Sequence, residues 1–335
     1  GVFPNFDKSI FAENGARVLL LERNSRLGKK LGLTGKGRCN LTNAGERDEF
    51  IENFGKNGRF LYRALTKFSN DDLIEFFNRR GVATKEERGG RVFPASDDSM
   101  TIVAALARYA KECGTSIRLN ARVERITVDA AKGAVAGVAL VGGESLAAAK
   151  VILATGGLSY PRTGSTGDGY AMAEKLGHTI VPLRPALVPL ETIERFSKDL
   201  QGLSLENVRV AALSDEKSLA EEFGDMLFTH FGVSGPIILK LSGLVVECLA
   251  RREGVRLSID MKPALDDAKL ENRLIREFAG SGKKMLGTVM KNLLPKALVP
   301  VFLGESGIPE GKRCNQITAD ERKKIVRLLK DFRLT

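Results

Sequence analysis

Ala16-Arg-Val-Leu-Leu-Leu-Glu22, preceded by Gly15 and followed by Gly28-Lys-Lys-Leu-Gly-Leu-Thr-Gly-Lys-Gly-Arg-Cys-Asn-Leu-Thr-Asn43, decides how the rest of this chain is read. A nearly continuous apolar run ending in an acid is how a strand buried on both faces of a parallel sheet reads, so this run is expected to be a central strand. A carboxylate at the end of such a strand is placed to accept hydrogen bonds from the ribose hydroxyls of a dinucleotide, which makes Glu22 a candidate. Strands also end in acids for no such reason, and alone the signal is weak. The run that follows packs four glycines and four bases into sixteen residues. Glycines let backbone approach a ligand closely, and exposed amides beside Lys and Arg suit a pyrophosphate. A mobile basic loop is the plainer alternative.

A second segment repeats the pattern. The apolar stretch Val151-Ile-Leu-Ala154, expected to be a strand, runs into Thr155-Gly-Gly-Leu-Ser-Tyr-Pro-Arg-Thr-Gly-Ser-Thr-Gly-Asp-Gly169. Ligands in open α/β sheets gather at the carboxyl ends of strands, so the two turns are expected to meet over one site. Between them, residues 70–81 carry a cap, acids in the first turn, bases in the last and a closing glycine, and residues 99–113 form a second such helix. Alternation from Ser116 to Leu146 across Gly133 and Gly142-Gly143 predicts an antiparallel meander. Pro182, Pro185 and Pro189 mark a boundary, because each removes a backbone donor. Beyond it come short strands at 207–213 and 256–260 and helices at 236–250, 266–278 and 319–332. Two domains are expected, 1–189 and 190–335.

Composition narrows the classes. Lys and Arg number 52 against 41 Asp and Glu, a net charge of +11 with a pI near 9.5, so an anionic partner deserves consideration. The charges are scattered, however, and no arginine-rich arm is present. Cys39, Cys113, Cys248 and Cys314 are far apart and have no ligand spacing, which argues against a zinc site or a disulfide framework. They read as reduced, cytoplasmic thiols, and no metal is expected. No apolar run reaches the ~18 to 20 residues of a membrane span, and no membrane partner is expected. His178 and His230 are the only histidines. His178 reads as a surface residue, whereas His230, in Leu227-Phe-Thr-His-Phe-Gly-Val-Ser-Gly-Pro236, either packs or faces a substrate. No hydrolytic triad can be assembled.

At these loops the sequence resembles a bacterial family of NAD(P)/FAD-dependent oxidoreductases that includes a bile-acid intermediate reductase and a ribosomal RNA dihydrouridine-forming reductase. The resemblance runs from about Ile10 to the end. It is carried by Leu27-Gly-Lys-Lys30 through Thr34-Gly-Lys-Gly-Arg-Cys-Asn40, by Ala154-Thr-Gly-Gly157 with Tyr160-Pro161 and Gly164-Ser-Thr-Gly-Asp-Gly169, and by Phe228-Thr-His-Phe-Gly-Val-Ser-Gly-Pro236. It implies an α/β, glutathione-reductase-like FAD-binding domain with an inserted mixed β-barrel and helical domain. It places FAD on Glu22 and Arg23, on Lys30, on Thr34, Gly35, Gly37, Arg38, Cys39 and Asn40, on Val123, and on Ala154, Thr155, Gly156 and Gly157, with NAD(P)H as electron donor. Tyr160, Arg162 and His230 are the candidate catalytic groups, because they lie in or beside the glycine-rich motifs. The implied reaction is reduction of an electron-poor C=C bond in a small molecule or in ribosomal RNA. An RNA-binding protein with a lost or structural flavin site and an amine-oxidising flavoenzyme are the alternatives. The family opens with a strand and a G-x-G-x-x-G turn, which Gly1-Val-Phe-Pro-Asn-Phe-Asp-Lys8 does not carry, and it returns to a glycine-rich segment after the insert. The FAD domain is therefore expected to be incomplete at both ends.

Overall fold

The computed structural model describes residues 15–335, so the expectation about the opening strand and glycine turn lies outside the described residues. The chain divides between Val181 and Pro182 into two compact units, at the first of the three prolines rather than beyond the last.

In the first unit β1 (Leu19–Leu21) pairs in parallel with β5 (Ser116–Arg118), Leu20 opposite Ile117. Only Leu20 is buried, and Leu19 and Leu21 line a cavity instead, which is why the apolar run looked like a doubly covered strand. Among the described residues β1 has this one ladder partner. The chain between the two strands makes β2 (Thr42–Asn43), α1 (Arg47–Asn53), α2 (Gly58–Lys67), α3 (Asn70–Arg79), β3 (Thr84–Glu87), β4 (Arg91–Pro94) and α4 (Ser99–Glu112). Helix α3 begins where Ser69 and Asp72 cap one another reciprocally, and its Phe76 and Phe77 meet edge to face. They pack with Ile102, Leu106 and Tyr109 of α4 in a shared core.

Ser116–Arg118 belongs to the parallel ladder rather than to the expected meander, because its backbone bonds are taken by β1. The meander itself is β6 (Val123–Asp129), β7 (Ala134–Leu140) and β8 (Ser145–Ala147), antiparallel throughout. Val151 to Ala154 form no strand: they line the cavity, with no ladder partner among the described residues. Helix α5 (Asp168–Lys175) follows and ends ahead of Gly177.

The second unit is built on one six-stranded sheet, β14-β13-β10-β11-β12-β9, antiparallel at every joint and not mixed. Its members are β9 (Leu190–Glu191), β10 (Ser204–Ser214), β11 (Lys217–Thr229), β12 (Gly232–Ser234), β13 (Arg256–Asp260) and β14 (Phe332–Leu334). Just past the two outer strands the Ile193 N–H donates to the Thr335 carbonyl at 2.8 Å, so the sheet curls until its edges touch. The β10–β11 hairpin turns on Asp215 and Glu216, both left-handed, as a two-residue hairpin turn demands. Arg256 and Arg333 both donate to the Glu216 carboxylate, which offsets the conformational cost. The helices are α6 (Phe196–Asp199), α7 (Pro236–Ala250), α8 (Asp267–Ala279), α9 (Leu286–Met290), α10 (Leu298–Ser306) and α11 (Ala319–Lys330). Among the described residues no helix is long and apolar enough to cross a membrane.

Phe332 is wholly buried in this unit, stacked on Phe302 at 6.4 Å and tilted against Phe196 at 5.7 Å. Phe332→Ala is expected to remove about 3–5 kcal/mol of unfolding free energy, as large-to-small core changes do. Urea titration followed by far-UV circular dichroism checks this, and an unmoved midpoint contradicts it.

Candidate functional site

The first unit holds a cavity of about 1090 Å³, at the upper end of the ~300–1,000 Å³ usual for small-ligand sites. Two turns converge on it. The Glu22 N–H donates to the Arg118 carbonyl and the Ala121 N–H to the Glu22 carbonyl, both at 2.9 Å, which fixes the end of β1 against the end of β5. Oε1 of Glu22 accepts from the backbone and side-chain nitrogens of Asn24, each at 2.8 Å, while Oε2 has no hydrogen bond among the described residues.

From this turn, three side chains reach the second turn. Asn24 Nδ2 donates to the Thr163 carbonyl at 3.0 Å. Arg23 donates to Thr166 Oγ1 at 2.6 Å and to Asp168 Oδ2 at 3.2 Å, and Arg122 donates to the same Asp168 oxygen at 3.1 Å. Lys30 Nζ donates to both the carbonyl and the hydroxyl of Ser159, at 3.1 and 2.9 Å. Asp168 is held well below the usual carboxylate range by its hydrogen bond from Thr166 first, and by Arg122 and Arg23. Glycine is needed at two points of this contact. A Cβ on Gly164 would sit 2.8 Å from Asn24 Nδ2 and 3.2 Å from Arg23 Cδ, at a φ of +100°. At Gly156 it would meet Ser165 Oγ at 2.8 Å, with φ +76°.

The expected site residues divide in their placement. Glu22, Arg23, Lys30, Val123, Ala154, Thr155, Gly156 and Gly157 all line the cavity. Thr34, Gly35, Gly37, Arg38, Cys39 and Asn40 are not among its lining residues. Their loop is tied down elsewhere: Arg38 forks onto Glu87 at 2.7 and 3.3 Å and lies 4.1 Å over the Phe93 ring. The Arg38 hydrogen bonds hold the Glu87 carboxyl below its ordinary range. Cys39 is buried beside Phe77 and Ile102, and burial pushes its thiol up, which keeps it protonated at neutral pH. Tyr160, with left-handed backbone and 69% exposed, and Arg162 stand on the second turn but outside the cavity lining. His230 belongs to the second unit, exposed in the turn between β11 and β12 and edge-on to Phe231.

Sequence reasoning missed Asn24, Arg122 and Asp168. Asp168 stood inside the quoted glycine segment, as the first residue of a helix, where an acid is favoured by the helix dipole. Arg122 gave no local signal, because only the packing of β6 beside α5 brings it to Asp168. The set of groups around the cavity comprises a carboxylate with one oxygen unpaired among the described residues, four lysines and close-packed glycine turns. It has the chemistry of a dinucleotide site: acceptors for vicinal hydroxyls and cations for a pyrophosphate.

A family profile described as HI0933-like protein Rossmann domain matches residues 8–298, and the chain belongs to that family. By that membership it is a flavin-type oxidoreductase with a Rossmann-like fold. The chain is similar to a 3-dehydro-bile acid delta(4,6)-reductase of Clostridium scindens, 29% identical over 97% of this chain and 77% of that protein. It is also similar to a ribosomal RNA dihydrouridine synthase of Escherichia coli, 28% identical over 100% of this chain and 79% of that protein. Among solved structures, an open conformation of a flavocytochrome c3 fumarate reductase aligns at 19% identity with a TM-score of 0.40, over 61% of this chain and 45% of its own.

The Asp168 tie between the turns has a definite pH window. A carboxyl whose folded pKa is depressed contributes fully above its unfolded value, ~3.9, and the contribution is lost as pH falls through the lower folded value. The acid limb of the stability–pH curve is therefore expected to be shallower in Asp168→Asn than in the wild type. Superimposable acid limbs in thermal melts would show that the carboxylate carries no such linkage.

Proposed function

We propose that this oxidoreductase binds FAD in the cavity of the first unit, draws electrons from NAD(P)H, and reduces an electron-poor carbon–carbon double bond. The substrate is a steroid-like metabolite or a uridine in ribosomal RNA. The observation that carries the reading is the convergence of the turn after Glu22 with the glycine turn after Ala154 on one cavity. The names of two relatives, a delta(4,6)-reductase and a dihydrouridine synthase, support the choice of reaction.

Glu22 would receive the adenosine ribose hydroxyls through Oε2, since Asn24 occupies Oε1 and holds the carboxylate in place. Lys30, fixed by Ser159, and the amides of Gly156 and Gly157 would face the pyrophosphate. Arg38 and the rest of the Thr34–Asn40 loop would close on the cofactor from the anchorage that Glu87 gives them. When bound, FAD supplies the hydride chemistry that side chains lack. The protein's part is to orient the double bond, exclude water and deliver a proton to the second carbon. Tyr160, Arg162 and His230 are the groups proposed for that part, with Tyr160 as proton donor beside the Ser159 that Lys30 grips.

The test is reconstitution with FAD. The protein is expected to acquire the visible absorption of a flavin and to bleach on addition of NADH or NADPH. Glu22→Ala is expected to weaken FAD about ten- to hundredfold, as the loss of a hydrogen bond to a charged group worth roughly 1.5–3 kcal/mol implies. A folded protein that stays colourless in excess FAD overturns the reading.

A further inference from the structure

Helix α2 stands out among the described residues for what it leaves in water. Phe60 is 88% exposed, Tyr62 is 48% exposed, and Phe54 just before the helix is 54% exposed. Single exposed apolar residues are ordinary, but these three rings stand on one short helical hairpin. The helix reads Gly-Arg-Phe-Leu-Tyr-Arg-Ala-Leu-Thr-Lys and contains no acid. Arg59, Arg63 and Lys67 recur every fourth residue and so share one face, and all three are exposed. None of the three has an acidic partner among the described residues of the kind that Glu144 gives Arg118 or Glu253 gives Arg251.

The hairpin is also rigid enough to present these groups in a fixed pattern. A Cβ on Gly58 would fall 1.8 Å from the Ile51 carbonyl oxygen, so the start of α2 is seated directly on the backbone of α1. Arg47 of α1 lies 5.1 Å over the Tyr62 ring and ties the two helices again.

We infer that the exposed face of α2 is a docking surface for single-stranded RNA, with Phe60 as a stacking platform for a base and Arg59, Arg63 and Lys67 on the phosphates. Every base has a π-face, and an aromatic ring flanked by cations is how sequence-tolerant single-strand recognition is built. An anionic lipid surface is the less favoured occupant, because membrane-lying helices need a broad apolar face. On α2, Leu65 is buried against the protein, and the exposed residues are Phe60, Tyr62 and Ala64 interspersed with Arg59, Arg63, Thr66 and Lys67, which is not a broad apolar face. The inference deepens the ribosomal-RNA arm of the proposed function and rests on that arm.

The experiment is fluorescence anisotropy of a labelled single-stranded RNA oligonucleotide titrated with the FAD-reconstituted full chain across a salt series. Binding is expected to weaken about tenfold in Phe60→Ala and to recover in Phe60→Trp, which a merely structural role for Phe60 would not produce. In the Arg59→Ala/Arg63→Ala double variant the slope of log affinity against log salt is expected to become shallower by about 1.4, from roughly 0.7 per phosphate contact on single strands. Because these side chains are exposed, thermal midpoints are expected to stay within a degree or so of wild type. RNA affinity and salt slope indifferent to all three variants would overturn the inference. So would α2-dependent binding to phosphatidylserine vesicles without RNA binding. Flavin absorption and NAD(P)H-driven bleaching, recorded on the same preparations, separate the two readings. A colourless protein sinks the flavin proposal, and a coloured one without α2-dependent RNA binding sinks only this inference.

Discussion

The site depends on how closely the turn after β1 approaches the glycine turn before α5. Asp168 accepts from Arg23 and Arg122 at once, so a single carboxylate links the end of β1, the start of β6 and the first turn of α5. Exposed ion pairs contribute only ~0–1 kcal/mol each, so the contact does little for overall stability. Its effect is positional. Arg23 and Asn24 reach the second turn because Gly164 has no side chain in their way and adopts a backbone conformation that few other residues tolerate. The glycines of this segment therefore serve two needs: close approach of one turn to another, and close approach of backbone to whatever fills the cavity.

That double use explains what the sequence made legible. Glycine density, a strand-ending acid and flanking bases are local signals, and they marked both turns. Capping and periodicity were equally local: helix 236–250 and strand 256–260 fall at their predicted residues, and Ser69 and Asp266 cap helices close to where the pattern placed them. The failures share a different cause. Ser116–Arg118 alternates like its neighbours in the meander, and only its partner decides which sheet it joins. Val151 to Ala154 are as apolar as a buried strand, yet they border a cavity and have no ladder partner among the described residues. Strand identity is a property of pairs, and pairing across a hundred residues leaves no mark on either segment alone.

The Thr34–Asn40 loop shows the same limit at the level of side chains. Its composition suits a phosphate, but the guanidinium of Arg38 is already committed to Glu87 and to the face of Phe93. A cation in a glycine-rich loop can bind a ligand or can hold the loop in shape. The spacing of residues does not distinguish the two, because the acid that pairs with Arg38 lies on β3, far away in sequence. Glu87 and the Phe93 ring anchor Arg38, and Gly35, Lys36, Gly37 and Cys39 of the same loop are left-handed.

Charge follows the same logic on the scale of the whole chain. An excess of +11 says little by itself, because many of the bases are neutralised pairwise, as Arg256 and Arg333 are on Glu216 or Lys330 is on Asp260. What carries information is where the pairing stops. On α2 three cations stand in a row with no acid in the helix, and beside them is a phenylalanine that packing has not claimed. Leaving such a ring in water forgoes about 25 cal/mol for each Å² of apolar surface that burial would have removed. Leaving like charges four residues apart costs a few tenths of a kcal/mol more. A fold gains nothing in stability from either feature, so both are best explained by a partner that supplies the missing negative charge and a flat surface to cover the ring.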